Sequence, residues 1–126
     1  MAAVRGSVLA GLRLLVVEDE YMIAEHIGIQ LEDFGCDVAG PVSTIEEALA
    51  ILKGGGLDGV LLDANLNGES SAPIAAALNV ASVPFVVATG YGSRELGDDA
   101  LNAAPRIIKP FGKAELEATL AAAFTR

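Results

Sequence analysis

Five residues of this 126-residue chain have the types and the placement to do chemistry together: Glu18, Asp19, Asp63, Thr89 and Lys109. Each stands immediately after, or one residue beyond, a short apolar run rich in β-branched residues. Carboxylates gathered within a few ångströms repel one another, and their pKa values rise unless a cation joins them. An all-oxygen, carboxylate-rich set suits Mg²⁺. An Asp carboxylate is also a nucleophile for phosphoryl transfer, a reaction that asks mainly for positioning and charge stabilisation. Lys109 offers a second positive charge for phosphoryl oxygens and Thr89 a hydroxyl donor, while Gly90 keeps the neighbouring space open. Taken singly, each residue has an ordinary structural reading: an Asp after a strand is usually a turn or cap residue, and a Thr at a strand end or a Lys-Pro before a helix usually carries no chemistry. The joint occurrence, in this order, points to a phosphoryl site.

The elements that must position these residues alternate along the chain. Apolar runs at 12–17, 38–42, 59–62, 85–88 and 106–108 are expected to be strands. Several are continuous rather than alternating, the pattern of strands buried on both faces of a parallel sheet. Ile23, Ile27, Leu31 and Phe34 recur at helical spacing and predict a helix over 20–34. Thr44-Ile45-Glu46-Glu47 is a capping box opening a helix that ends at Gly54. Ser70-Ser71-Ala72-Pro73 opens a third helix, and Leu116, Leu120 and Phe124 mark the last, over 112–125. The segment 93–103 is a weak helix, with Gly97 in its middle and two adjacent Asp, and is expected to be short, irregular or mobile. The order (βα)₅ predicts an α/β doubly wound parallel sheet, flavodoxin-like, with strand order 2-1-3-4-5. Ligands of such sheets bind beyond the carboxyl ends of the strands, where the five residues stand.

Composition narrows the function classes. The chain is 52% hydrophobic without tryptophan, so its core must be mainly aliphatic. A net charge of −9 repels phosphate backbones and argues against a nucleic-acid partner. No apolar run is long enough to span a bilayer, so no membrane association is expected, and the expected location is cytoplasmic. The lone Cys36 excludes an intrachain disulfide and reads as a small core residue. Residues 1–10 read as a frayed N-terminal extension and 11–126 as one domain. His26 is expected in solvent, and Tyr21 and Phe111 are expected to pack near the site.

The segments Leu14-Leu15-Val16-Val17-Glu18-Asp19-Glu20, Val60-Leu61-Leu62-Asp63-Ala64-Asn65-Leu66, Ala88-Thr89-Gly90 and Ile108-Lys109-Pro110-Phe111 resemble the CheY-like receiver domain of response regulators, over about residues 11–125. The resemblance implies that Asp63 is the phosphoacceptor. Glu18 and Asp19 become the acidic pair at Mg²⁺, Asp19 the direct ligand, and Asn65 lends its backbone carbonyl. Thr89 moves toward the phosphoryl group on activation, Lys109 pairs with that group, and the Lys109–Pro110 bond is cis. A narrower likeness, through Pro84-Phe85-Val86-Val87-Ala88-Thr89-Gly90-Tyr91-Gly92, is to single-domain receivers with a Phe-Ala-Thr-Gly-aromatic loop, partnered by histidine kinases of the HWE or HisKA2 type. Val87 stands where that subgroup has Phe.

Other positions depart from the family. Arg106 occupies the place of the aromatic switch, and Tyr91 is the candidate to replace it. Glu18 in place of Asp lengthens the arm by one methylene and turns its metal contact toward one through water. Asn67-Gly68-Glu69 replaces a Pro-containing loop. The implied function is a response regulator of a two-component system whose Mg²⁺-dependent phosphorylation by a sensor histidine kinase, or by a phosphotransfer protein, switches contact with a downstream protein or relays phosphate. It would be no enzyme beyond its own phosphorylation and dephosphorylation. With no further domain expected after Arg126, output is expected through a protein contact or as a phosphate relay or sink. The alternative is a small haloacid-dehalogenase-like aspartyl-phosphate hydrolase using Asp63, Thr89 and Lys109. Against it stand Asn65, where that family has a second Asp, and the lack of an Asp pair after Lys109. A flavodoxin-like FMN module is disfavoured by the absence of Trp and of a hydroxyl-rich loop after the first strand.

Overall fold

In the computed structural model, which describes residues 7–90 and 96–125, the apolar runs become the middle of a five-stranded parallel sheet. Its strands are β1 (Arg13–Val17), β2 (Asp37–Val42), β3 (Gly59–Asp63), β6 (Phe85–Thr89) and β7 (Arg106–Ile108), in the spatial order β2-β1-β3-β6-β7. A two-stranded antiparallel ribbon of β4 (Asn65–Leu66) and β5 (Glu69–Ser70) stands apart from it. With the ribbon set aside, the order is the expected 2-1-3-4-5.

The helices are α1 (Tyr21–Asp33), α2 (Ile45–Gly54), α3 (Ala72–Ala81), α4 (Asp99–Ala103) and α5 (Lys113–Phe124). Because side chains alternate across a strand, the sheet sorts its apolar residues onto two faces. Leu14, Val16, Leu61, Val86 and Ala88 join Ile27 and Leu31 of α1 and Leu116 and Leu120 of α5. Leu15, Val17, Val60, Leu62 and Val87 join Ala48 of α2, Ile74 and Leu78 of α3 and Leu101 of α4. Every residue of β3 and β6 is buried, including the terminal Asp63 and Thr89, whereas edge strand β2 is mostly exposed or half-buried.

Local signals mostly act as expected. Thr44 Oγ1 accepts the Glu47 N–H, but Glu47 returns its carboxylate to Ser43 N–H, one residue upstream of the expected partner. The fourth helix shrinks to the five residues of α4, with Asp98 capping Leu101 N–H and Gly97 at φ +77°. The part of that expectation over 93–95 lies outside the described residues.

Three expectations are corrected. The ribbon was not anticipated; its turn, Asn67-Gly68, has φ of +54° and +87°, the two positive values that an Asn-Gly hairpin turn supplies. Leu9, placed in a frayed extension, is fully buried in the α1/α5 face. A turn over 7–10 seats it there: Ala10 N–H donates to the Ser7 carbonyl, Gly11 N–H to the Gly35 carbonyl, and the Cys36 thiol to the Leu9 carbonyl. Tyr21, expected to pack, is 73% exposed, while Phe111 packs against the core and His26 faces solvent as expected. Among the described residues no helix is long and apolar enough to cross a membrane.

Candidate functional site

Sheet register builds the site. Val17 of β1 is level with Leu62 of β3, so the next residues, Glu18 and Asp63, leave the sheet side by side. Asp63 is level with Ala88 of β6, and Thr89 is level with Ile108 of β7, one residue before Lys109. The Lys109 N–H donates to the Thr89 carbonyl at 2.9 Å, which ties the last two strand ends together. Glu18, Asp19, Asp63, Asn65, Thr89, Gly90 and Lys109 all line one cleft of about 630 Å³ at this edge. Glu20, Ile23, Ala64, Ser70 and Leu96 complete its walls; Ile23, Ser70 and Leu96 carry no sequence signal that marks them for the site.

Asp63 lies at the centre, 6% exposed. Its Oδ1 accepts the Asn65 N–H at 3.2 Å, and its Oδ2 pairs with Lys109 Nζ at 3.1 Å. The same ammonium reaches Glu18 Oε1 at 3.0 Å, and Glu18 Oε2 accepts the Glu20 N–H at 3.1 Å. Asp19, half-buried, accepts the Asn67 N–H of the ribbon turn at 2.9 Å. Asn65 Oδ1 accepts the Gly68 N–H, which fixes the turn that presents Asn67 to Asp19. The Asn67-Gly68 hairpin thus anchors an acidic residue of the site from 48 positions away.

These contacts set the protonation of the site. Burial pushes the Asp63 carboxyl up; the Asn65 N–H pulls it back, the Glu18 charge raises it and the Lys109 charge lowers it, leaving it at about 7. Burial also works against the Asp19 anion, but hydrogen bonds, the Asn67 N–H first, outweigh it and hold Asp19 below its ordinary value. Burial disfavours the Lys109 cation, yet Glu18 and then Asp63 outweigh it, so its pKa stands above the ordinary lysine value. Carboxylate oxygens of Glu18, Asp19 and Asp63 lie within 4.8 Å of one another. Three clustered carboxylates facing one ammonium form a hard, oxygen-only donor set with excess negative charge, which suits a small divalent cation.

The remaining expected residues divide. Thr89 is buried at the end of β6, and Gly90 is exposed beside it. Lys109–Pro110 is cis, as the resemblance implied, and Gly40–Pro41 is a second cis bond that was not anticipated. Arg106, on β7, donates from Nη2 to Asn102 Oδ1 at 3.2 Å, and the same oxygen accepts the Leu96 N–H at 2.8 Å. The position expected to hold an aromatic switch is therefore wired by polar contacts to a residue lining the cleft. Tyr91 lies outside the described residues.

Comparison with known proteins agrees with this geometry. The family model described as response regulator receiver domain matches residues 14–121. A solution structure of SdrG from Sphingomonas melonis Fr1 is 40% identical, with a TM-score of 0.77, covering 89% of this chain and 95% of that one. The BeF3-activated conformation of SdrG from Pseudomonas melonis Fr1 is 38% identical at a TM-score of 0.75, covering 90% and 96%. The chemotaxis protein CheY4 of Vibrio cholerae is 26% identical at a TM-score of 0.79, covering 90% and 99%. No curated protein matches the chain. A buried aspartate at the end of the middle strand, joined to a lysine from the edge strand, is thus set in a fold that matches receivers along nearly its whole length, and the chain belongs to the response regulator receiver domain family of two-component signalling.

Proposed function

We propose that the chain is a phosphorylation switch that accepts a phosphoryl group on Asp63 in a Mg²⁺-dependent reaction. One observation carries the reading: the Asp63 carboxylate, buried in an open cleft, meets a lysine and lies within 4.8 Å of the carboxylates of two further acidic residues. Asp19, Asp63 and the Asn65 carbonyl would hold the cation, with Glu18 beside them, and when bound it supplies positive charge that favours ionised Asp63 and offsets phosphoryl charge. The protein's own part is positional. Asn65 N–H and Lys109 orient the Asp63 carboxylate from its two oxygens. An Asp63 oxygen attacks phosphorus, the bond from phosphorus to the donor's leaving atom breaks with its electron pair, and an acyl phosphate forms. Lys109 then neutralises a phosphoryl oxygen, and the Thr89 hydroxyl donates to another.

The physiological donor in this reading is a sensor histidine kinase or phosphotransfer protein, and the likeness over 84–92 favours the HWE or HisKA2 kinases. The BeF3-activated form of the SdrG relative supports a phosphoryl-sensitive site in this kind of chain. The test is the intact mass after incubation with acetyl phosphate and Mg²⁺. One phosphoryl adduct is expected, absent without Mg²⁺ and absent in Asp63→Ala. An adduct that persists in Asp63→Ala moves the acceptor elsewhere, and steady turnover of a phosphomonoester returns the hydrolase alternative.

A further inference from the structure

The two oxygens of Glu18 are both engaged, and neither engagement points to a metal. Oε1 meets Lys109 Nζ at 3.0 Å and Oε2 accepts the Glu20 N–H at 3.1 Å, with the residue only 3% exposed. Asp19, its neighbour in the same cleft, is half-buried rather than buried, and one of its oxygens is anchored by the Asn67 N–H. The adjacent carboxylates therefore face different duties. We infer that Glu18 is a positioning residue, which holds the Lys109 ammonium against Asp63 and keeps it in place when the phosphoryl group arrives. This inference rests on the phosphorylation reading above.

Three physical points support it. Lysine has three N–H donors and no acceptor. One serves Glu18, one serves Asp63, and the third can meet a phosphoryl oxygen without the first being released. A free ammonium on a four-carbon stem is mobile and costs rotamer freedom to fix; a buried carboxylate whose second oxygen is tied to backbone is a rigid anchor for it. Reach also matters. An Asp at position 18 would end about one C–C bond, ~1.5 Å, short, which takes the 3.0 Å contact beyond hydrogen-bond distance. The Glu at this position is therefore the residue that reaches from the end of β1 to a lysine beyond β7, past the ends of β3 and β6.

The experiment has two arms. In metal-free protein, the Lys109 ¹⁵Nζ ammonium resonance is followed by NMR in wild type, Glu18→Gln, Glu18→Asp and Asp19→Asn. The wild type and Asp19→Asn are expected to show a protected ammonium, and both Glu18 variants to lose it. Gln loses the charge and replaces one of the two acceptor oxygens by an NH₂ donor, so Lys109 and the Glu20 N–H no longer each have their own oxygen, while Asp keeps the charge but not the reach. In the second arm, acetyl phosphate labelling is measured against Mg²⁺ concentration. Glu18→Gln is expected to lower the maximal rate at least about tenfold, while half-saturating Mg²⁺ stays within about threefold. Asp19→Asn should raise half-saturating Mg²⁺ by more than about tenfold. An ammonium unchanged in Glu18→Gln, or never protected in wild type, overturns the inference. So does a Glu18→Gln protein that recovers the wild-type rate at high Mg²⁺, which would make Glu18 a metal-side residue. A wild type that takes no label at all refutes the phosphorylation reading instead, and the NMR arm still decides whether Glu18 anchors Lys109.

Discussion

Replacing Asp63 by Asn should stabilise the metal-free protein, and increasingly so as the pH rises. Asp63 is buried beside Glu18, and its carboxyl stands at about 7 in the folded chain against an ordinary 3.8. A carboxyl whose pKa is raised by folding contributes most to stability below its unfolded value and loses that contribution as pH climbs to the folded value. Between pH 5 and pH 7 the unfolded chain has already lost this proton while the folded chain still holds it. Stability then falls by about 1.4 kcal/mol per pH unit from this one group. Across those two pH units wild type should lose roughly 2–3 kcal/mol relative to Asp63→Asn, which has no such proton. For a domain of this size ~1 kcal/mol moves Tm by roughly 4 °C, so the gap between the two proteins should widen by about 10 °C from pH 5 to pH 8. Thermal unfolding in EDTA, followed by circular dichroism at four pH values, measures it. Added Mg²⁺ should narrow the gap by stabilising wild type through binding to the ionised carboxylates. An Asp63→Asn protein no more stable than wild type at pH 8, or a gap that does not change with pH, would refute the account of a strained, cation-seeking carboxylate.

Two further changes test the packing that carries the site. Leu9→Ala should cost about 2–5 kcal/mol in urea denaturation, because Leu9 is fully buried among α1 and α5 residues; a loss under about 0.5 kcal/mol would return residues 7–10 to a loose extension. Gly59→Ala would place its Cβ 2.7 Å from the Phe124 ring at the far end of β3, and should cost about 1–3 kcal/mol. Combining it with Phe124→Leu should recover part of that loss, and simple additivity of the two would show that the ring and the glycine do not meet.

What could be read from the sequence follows the range of the forces involved. The interior strands announced themselves because burial on both faces demands continuous apolar runs, as in Val60-Leu61-Leu62 and Phe85-Val86-Val87. Asp63, Thr89 and Lys109 were legible because strand ends in a parallel sheet converge on one edge, so position along the chain already implies proximity. The Asn67-Gly68 turn carried its own signal, an Asn-Gly pair, but flanking strands of two residues leave no alternation to support it. Leu9 was misplaced because a single apolar residue in a short terminal segment has no period. Tyr21 was misplaced because aromatic character alone does not say which side of a helix start faces the core.

The least legible features are polar contacts between distant segments, and these are the ones that give this receiver its own character. Lys109 and Glu18 are 91 positions apart, and nothing local to Val17-Glu18-Asp19 shows that its first carboxylate pairs with a lysine while its second is anchored by the Asn67 N–H. Hydrophobic pattern fixes which residues leave the sheet together; length of side chain and count of donors then decide which of them pair. The same holds at Arg106. Family likeness predicts an aromatic there, and its loss suggests a broken coupling, yet the guanidinium shares Asn102 Oδ1 with the Leu96 N–H, and Leu96 borders the cleft. A polar bridge transmits displacement differently from an aromatic ring, because a hydrogen bond weakens steeply once its geometry is lost, whereas a ring can slide between packing positions. Any movement of the cleft wall at Leu96 must therefore either carry α4 and β7 with it or break contacts at Asn102, and the departure at Arg106 changes how the site is linked to its surroundings without removing the link.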